Sequence, residues 1–290
     1  MSSTSDTRIA DVEAGRPVEG VFAVARKQRR HDKNGDPYLV LELTDSTGSI
    51  EGRIWKNADW FDRNVREGDR ARVVGRGSRY RDQVQLDIRR MDRVAEDDDA
   101  AAPLESFVPS GRRPLEDLAG ELDFLVGEIT HPQLRSLVEA VWGGAERAAL
   151  LRSPATANDH HAYLGGLVEH TVSVAAICMT AEERHSGLNR DLLLAAALLH
   201  DVGRVRELRS ETVLEADAEA GLVGHVLLGH ELLLEAATRV GGDLTVQSWW
   251  PKLVHAITMH HGPVERCRTR EAVVLASANA LDARLAARDR

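Results

Sequence analysis

Ten of the twelve histidines fall between His160 and His261. One of them, His200, is followed directly by Asp201 at the end of the apolar run LLLAAALL. His170, His225, His260, His261 and Asp282 stand on either side of that pair, spread over more than a hundred residues. A zinc knuckle needs a compact Cys/His spacing, and none is present, so the pattern points to a site assembled from several helices. Imidazoles and carboxylates together suit first-row divalent metals, whose usual task in such a site is to activate water. These residue types therefore point to metal-dependent hydrolysis of a phosphoester.

The elements that must position them are helical. LEDLAGELDFLVGEI places Leu115, Leu118, Leu122 and Leu125 at spacings of three and four, and PQLRSLVEAVWGGAERAALL continues in that manner. RDLLLAAALLHDVG reads as a nearly all-apolar helix, central and buried, with Gly203 as its C-terminal stop. WWPKLVHAITMHHG and EAVVLASANALDARLA read as two more helices, with Trp249-Trp250 a packing feature at a helix start. A buried His-Asp pair at an apolar helix end needs partners once it leaves water. His170 after LGGLVE, His260-His261-Gly262 after an apolar helix and Asp282 in an Ala/Leu-rich one would each be an oddity alone. A common metal accounts for all of them.

The first ninety residues read differently. VEGVFAVARKQ alternates as a strand and reaches the hairpin signal Asn34-Gly35. PYLVLELTD, SIEGRIW, a short helical segment in KNADWFDRNVREGD, then ARVVGRGS and QVQLDIRRM follow. Five strands with a helix between the third and fourth match the OB-fold, a partly open barrel that binds oligonucleotides. OB-folds stack bases on exposed rings beside a basic groove. The available set is Tyr38, Trp55, Trp60 and Tyr80 with Arg26, Lys27, Arg53 and Arg79, against the alternative that the rings pack in the barrel core. The acidic, Ala-rich AEDDDAAAP reads as linker. The expected plan is a tail over 1–16, an OB domain over 17–93, a linker over 94–113 and an all-α domain over 114–290.

The net charge of −9 divides unevenly. Residues 1–95 hold 19 Lys and Arg against 16 Asp and Glu, and the remainder 18 against 30. A mildly basic first domain fits a polyanion when its charges cluster, as they do in Arg26-Lys27-Gln28-Arg29-Arg30-His31. Part of the acidic excess beyond it would be offset by bound divalent metal. No apolar stretch is long enough to span a bilayer, and the N-terminus lacks the basic start and apolar core of a secretory signal. Cys178 and Cys267 form no CxxC pattern, which suggests a reducing compartment, hence the cytoplasm.

The order His170, His200-Asp201, Asp282 resembles the ligand signature of the HD-domain phosphohydrolases, an all-helical superfamily. The strings HHAYLGGLVEHT, LLLAAALLHDVG, LVGHVLLG, ITMHHG and NALDAR, with KNGDPYLVLELTDSTGSIEGRIW ahead of them, are similar to the YhaM-type 3′-5′ exoribonucleases. The resemblance spans residues 17–285 and implies an OB-fold joined to an HD domain. It implies one metal held by His170, His200, Asp201 and Asp282, and a second served by His225, His260 and His261 with Asp201 bridging. Which of His260 and His261 ligates stays open. His160 and His161 match the motif as substrate-phosphate contacts or as structural residues. Arg204 stands where the family usually has lysine and would help neutralise the scissile phosphate.

The resemblance implies hydrolysis of single-stranded RNA from its 3′ end, with single-stranded DNA as a further substrate and a homo-oligomer as an option. Manganese is the foremost metal, with cobalt, iron, nickel and zinc as alternatives, two ions per site. Two other readings compete: hydrolysis of nucleotides or cyclic dinucleotides under a regulatory barrel, and a single-strand-binding protein without catalysis. A panel of substrates separates them, since only a nuclease shortens an oligonucleotide stepwise.

Overall fold

The computed structural model describes residues 6–81, 83–94, 107, 108, 111, 113–157, 159–210 and 214–288. The chain divides into two compact units, Met1–Ser110 with Ser210–Leu214 and Gly111–Arg209 with Glu215–Arg290.

The first unit is a closed five-stranded barrel. β1 (Pro17–His31), β2 (Pro37–Asp45), β3 (Gly48–Ile54), β4 (Arg70–Tyr80) and β5 (Gln83–Arg93) follow one another, with α1 (Ala58–Asn64) between β3 and β4. The spatial order is β1-β2-β3-β5-β4. β1 is long enough to pair with β4 through its first half and with β2 through its second, and a register shift between Val24 and Arg26 marks the bend. The expected partly open barrel is closed by a short parallel seam, Gly52 opposite Leu86 and Arg53 opposite Asp87. Alternation does the sorting: Phe22, Val24, Leu39, Leu41, Leu43, Val73 and Leu86 are fully buried in one core.

At the first hairpin only Gly35 adopts positive φ (+88°). Asp32 Oδ1 accepts the N–H groups of Asn34 and Asp36, so a carboxylate organises the turn. The expected tail over 1–16 is partly built into the barrel. Ile9 is buried in its core, and its N–H donates to Asp45 Oδ2 at 2.8 Å. Most of the expected linker over 94–113 lies outside the described residues; within it Phe107 and Val108 are buried.

The second unit is helical, in the order α2 (Leu115–Gly127), α3 (Pro132–Trp142), α4 (Arg147–Arg152), α5 (Gly166–Arg184), α6 (Arg190–Leu199), α7 (Arg204–Glu207), α8 (Ala220–Val223), α9 (His225–Val240), α10 (Trp250–Met259) and α11 (Arg270–Ala286). One departure from the all-α expectation is a two-stranded ribbon, β6 (Leu208–Ser210) with β7 (Leu214–Ala216), where the sequence lacks a helical apolar repeat. α6 is the central helix, with every residue from Leu192 to Leu199 buried. Asn189 caps its start by accepting from Leu192 N, and Trp142 Nε1 donates to Leu198 O at 2.7 Å near its end. Trp249 and Trp250 lie in the same core, as expected of packing residues. No helix is long and apolar enough to cross a membrane among the described residues.

Gly203 is not the expected helix stop. α6 ends at Leu199, and Gly203 has ordinary helical φ (−65°). A Cβ there would meet His225 O at 2.0 Å and Gly229 N at 2.4 Å. The glycine is needed because α9 packs directly on the turn that carries Asp201, which brings His225 to it.

Candidate metal centre

Five helices of the second unit deliver side chains to one place. His170 comes from the first turns of α5, His200 and Asp201 from the end of α6, His225 from the first residue of α9, His260 from the residue after α10, and Asn279 and Asp282 from α11. His170, His200, Asp201 and His260 are buried almost completely, and Asn279 and Asp282 nearly so. Three donor groups have ligand atoms within 4.8 Å of one another: Asp201 with His225, His260 and His261; His170 with His200 and Asp201; and His160 with His161 and His170.

The rings around Asp201 share one orientation. His170 Nδ1 lies 2.6 Å from Asp282 Oδ2, His200 Nδ1 2.8 Å from Ala197 O, and His260 Nδ1 2.5 Å from Ile257 O. His225 Nδ1 faces Glu207 Oε2 at 3.3 Å. In a neutral imidazole each Nδ1 then carries the proton, and each Nε2 presents a lone pair. All four Nε2 atoms point toward Asp201: His260 and His225 at 3.2 and 3.3 Å from Oδ1, and His170 and His200 at 3.9 Å from Oδ2. His170 Nε2 and His200 Nε2 are 3.2 Å apart. Asp201 Oδ1 and His260 Nε2 are close yet make no hydrogen bond of good geometry, and both are buried. Acceptors facing acceptors in a dry site are unstable alone and well matched to cations. The residues present fit a divalent metal.

Electrostatics agree. Burial pushes His200 down to about 3 and His225 down to about 4, so these rings are neutral near pH 7. Burial opposes ionisation of Asp201, but His200, Arg204 and His260 around it hold its carboxyl well below the usual range. Asp282 is likewise held low: burial is outweighed by hydrogen bonds from His161, His170 and Ser173.

The two halves expected of the centre are present, with differences in detail. Asp201 faces both, Oδ2 toward His170 and His200, Oδ1 toward His225 and His260. Asp282 sits behind His170, on its Nδ1 side, bonded also to His161 Nε2 at 2.9 Å and by the Ser173 hydroxyl. His261 is exposed, with Nε2 3.1 Å from His225 Nε2. His160 and His161 are buried beside His170, and burial pushes His160 down to about 4. His161 continues a chain through Tyr163 OH (2.7 Å) to Glu169 Oε2 (2.8 Å). The LGG stretch permits this: Gly165 has φ +83°, and a Cβ on Gly166 would meet His161 O at 1.9 Å. Arg204 Nη1 pairs with Glu207 Oε2 at 2.7 Å and Nε lies 3.7 Å from Asp201 Oδ2, so it braces two carboxylates. Glu207 and Ser173 escaped the sequence reading because no motif or doublet marks them; Tyr163 and Asn279 stand inside HHAYLGGLVEHT and NALDAR but carry no imidazole or carboxylate that would single them out.

On the barrel, the rings are not core residues. Trp55, Trp60 and Tyr80 are exposed and Tyr38 is half-buried. Tyr38 stacks on Trp55 with centroids 4.6 Å apart. The Arg53 guanidinium lies over both Trp55 (5.8 Å) and Tyr80 (4.9 Å), and that of Arg81, missed in the sequence, lies 5.4 Å from Tyr80. Tyr38, Trp55, Arg53, Tyr80 and Arg81 thus form a continuous row. Trp60 packs on Phe61 instead. Arg26 is 3.9 Å from Glu42 and Arg79 is exposed. Lys27 departs from the expected contact set: its Nζ bonds Asp62 Oδ1 (3.0 Å), Asp62 O (2.5 Å) and Val65 O (2.8 Å), anchoring the end of α1.

Comparison with known proteins accords with both units. A family model described as "HD domain" matches residues 167–284, and one described as "OB-fold nucleic acid binding domain" matches residues 21–94. The curated 3′-5′ exoribonuclease YhaM of Bacillus subtilis is 25% identical over 284 residues, covering 96% of this chain and 88% of that protein. The YhaM proteins of Listeria monocytogenes (25%, 97% of this chain and 89% of that one) and Shouchella clausii (28%, 95% and 86%) match equally fully. The chain is an OB-fold domain followed by an HD domain, with curated homologues along nearly its whole length that are the YhaM 3′-5′ exoribonucleases.

Proposed function

We propose that this protein is a metal-dependent 3′-5′ exonuclease of single-stranded RNA, with single-stranded DNA as a further substrate. The observation that carries the reading is the common orientation of His170, His200, His225 and His260, each with Nδ1 engaged and Nε2 turned toward Asp201. His170, His200 and Asp201 would hold one ion; Asp201, His225 and His260 the other, with His261 at its exposed edge. Bound divalent ions supply Lewis acidity, bringing the pKa of water toward neutrality and offsetting charge on the phosphoryl oxygens. The chain's own residues fix the geometry. Asp282, Ala197 O, Ile257 O and Glu207 hold the rings by Nδ1, and Arg204 positions Asp201 while placing positive charge beside the centre for a phosphate. His160 and His161 line the His170 side and remain candidates for phosphate contact. Manganese is the metal proposed first, with cobalt, iron, nickel and zinc as alternatives; the cytoplasm is the location proposed, in keeping with two free cysteines.

The row Tyr38–Trp55–Arg53–Tyr80–Arg81 would grip the strand, since ring faces stack on any base and guanidinium groups meet its phosphates. Digestion of 5′-labelled single-stranded RNA in a screen of divalent metals tests the whole reading. The expected products form a ladder descending by single nucleotides, blocked by a 3′ phosphate or a stable 3′ duplex and indifferent to the 5′ end. Internal cuts in circular RNA, or turnover confined to mononucleotides and cyclic dinucleotides, would replace it with the rival hydrolase.

A further inference from the structure

The ring of His170 is bracketed by one helix. Asn279 and Asp282 lie three residues apart on α11 and therefore share a face. Asp282 takes the Nδ1 edge at 2.6 Å, and Asn279 Oδ1 takes the Nε2 edge at 2.9 Å. The amide's orientation is set by its other end, where Asn279 Nδ2 donates to His260 O at 3.3 Å. Three acceptors consequently converge: His170 Nε2, His200 Nε2 at 3.2 Å from it, and Asn279 Oδ1, on a side chain that is 3% exposed. Asp282 is engaged instead by His161 and His170 at Oδ2 and by Ser173 at Oδ1.

We infer that Asn279, through Oδ1, is the fourth ligand of the His170–His200–Asp201 half of the metal centre, and that Asp282 is a positioning residue holding His170 by Nδ1. The inference rests on the metal-centre reading above. It leaves Asp201 as the single carboxylate shared by the two halves, with a neutral carbonyl oxygen at the corner where a second carboxylate would bind a dication more strongly. A merely structural Asn279 makes the opposite demand. Its Nδ2–H is needed by His260 O, and an aspartate there would set a carboxylate oxygen against that carbonyl.

Titration of the full-length, metal-stripped protein with Mn²⁺ by calorimetry, for the natural chain and for Asn279→Asp, separates these. The expected result is tighter binding of one ion in Asn279→Asp, by on the order of tenfold or more, and a larger Mn²⁺-induced rise in Tm than in the natural chain, whatever the metal-free Tm of the variant. Asn279→Ala should lose affinity for the same ion. Unchanged or weaker Mn²⁺ binding and an unchanged Tm rise in Asn279→Asp would overturn the assignment while leaving the metal centre standing. A natural chain that binds neither Mn²⁺ nor the other transition metals would instead remove the centre itself, and this inference with it.

Discussion

His170 Nδ1 lies 2.6 Å from Asp282 Oδ2, on the opposite side of the ring from Asp201. A carboxylate bonded to the outer nitrogen of a ligating imidazole fixes its tautomer and raises its basicity. Asp282→Asn should therefore weaken Mn²⁺ binding and activity by roughly 10–100-fold, the range for such outer partners. Asp201→Ala should abolish hydrolysis under every metal while far-ultraviolet circular dichroism stays native. Calorimetry and end-labelled RNA digestion measure both. Near-normal activity in Asp201→Ala would refute the centre.

Binding to nucleic acid should depend on the aromatic row. Trp55→Ala and Tyr80→Ala should each lower affinity for a single-stranded oligonucleotide by about 1–3 kcal/mol, the usual loss per stacked base. Binding by the natural chain should weaken as salt rises if Arg53 and Arg81 meet the strand's phosphates as proposed. Fluorescence anisotropy at several salt concentrations reads both, and Trp60→Ala, outside the row, serves as the contrast.

Lys27 should behave as a scaffold residue. Its ammonium is largely buried among Asp62 and two carbonyls, so Lys27→Ala strands those acceptors at a cost of about 1–3 kcal/mol. The expected outcome is a lower Tm for the barrel transition with oligonucleotide affinity retained in the folded protein. A large affinity loss at unchanged Tm would return Lys27 to the contact set.

Acid should destabilise the metal-free protein early. His160, His200 and His225 titrate near 6.5 when unfolded but at about 4, 3 and 4 when folded, each through burial. Between those values the unfolded chain binds more protons, so stability falls as pH falls from about 6.5 toward 4. Below that, Asp201 and Asp282, held low when folded, extend the loss in the same direction. Thermal melts of metal-stripped protein across pH 7 to 4 should show a declining Tm; a flat profile would contradict the buried neutral rings.

Much of this was legible from residue order. Period-two alternation over residues 17–93 and the helix placed after the third strand identify the barrel, because one face of each strand must be apolar to form its core. The His200-Asp201 doublet at the end of an apolar helix marks the centre, because two polar groups there are costly without partners. What the pattern cannot specify is which atom of a side chain faces which neighbour. Asp282 and Asn279 are both polar residues in an apolar helix, and only the packing of α11 against α5 puts one at Nδ1 and the other at Nε2 of His170. Likewise Lys27 in β1 and Arg53 in β3 both read simply as strand cations. Barrel closure puts the first under α1 and the second between Trp55 and Tyr80. Periodicity reports which face is buried; the partner on that face arrives from residues a hundred positions away, and its place is decided only when the helices converge.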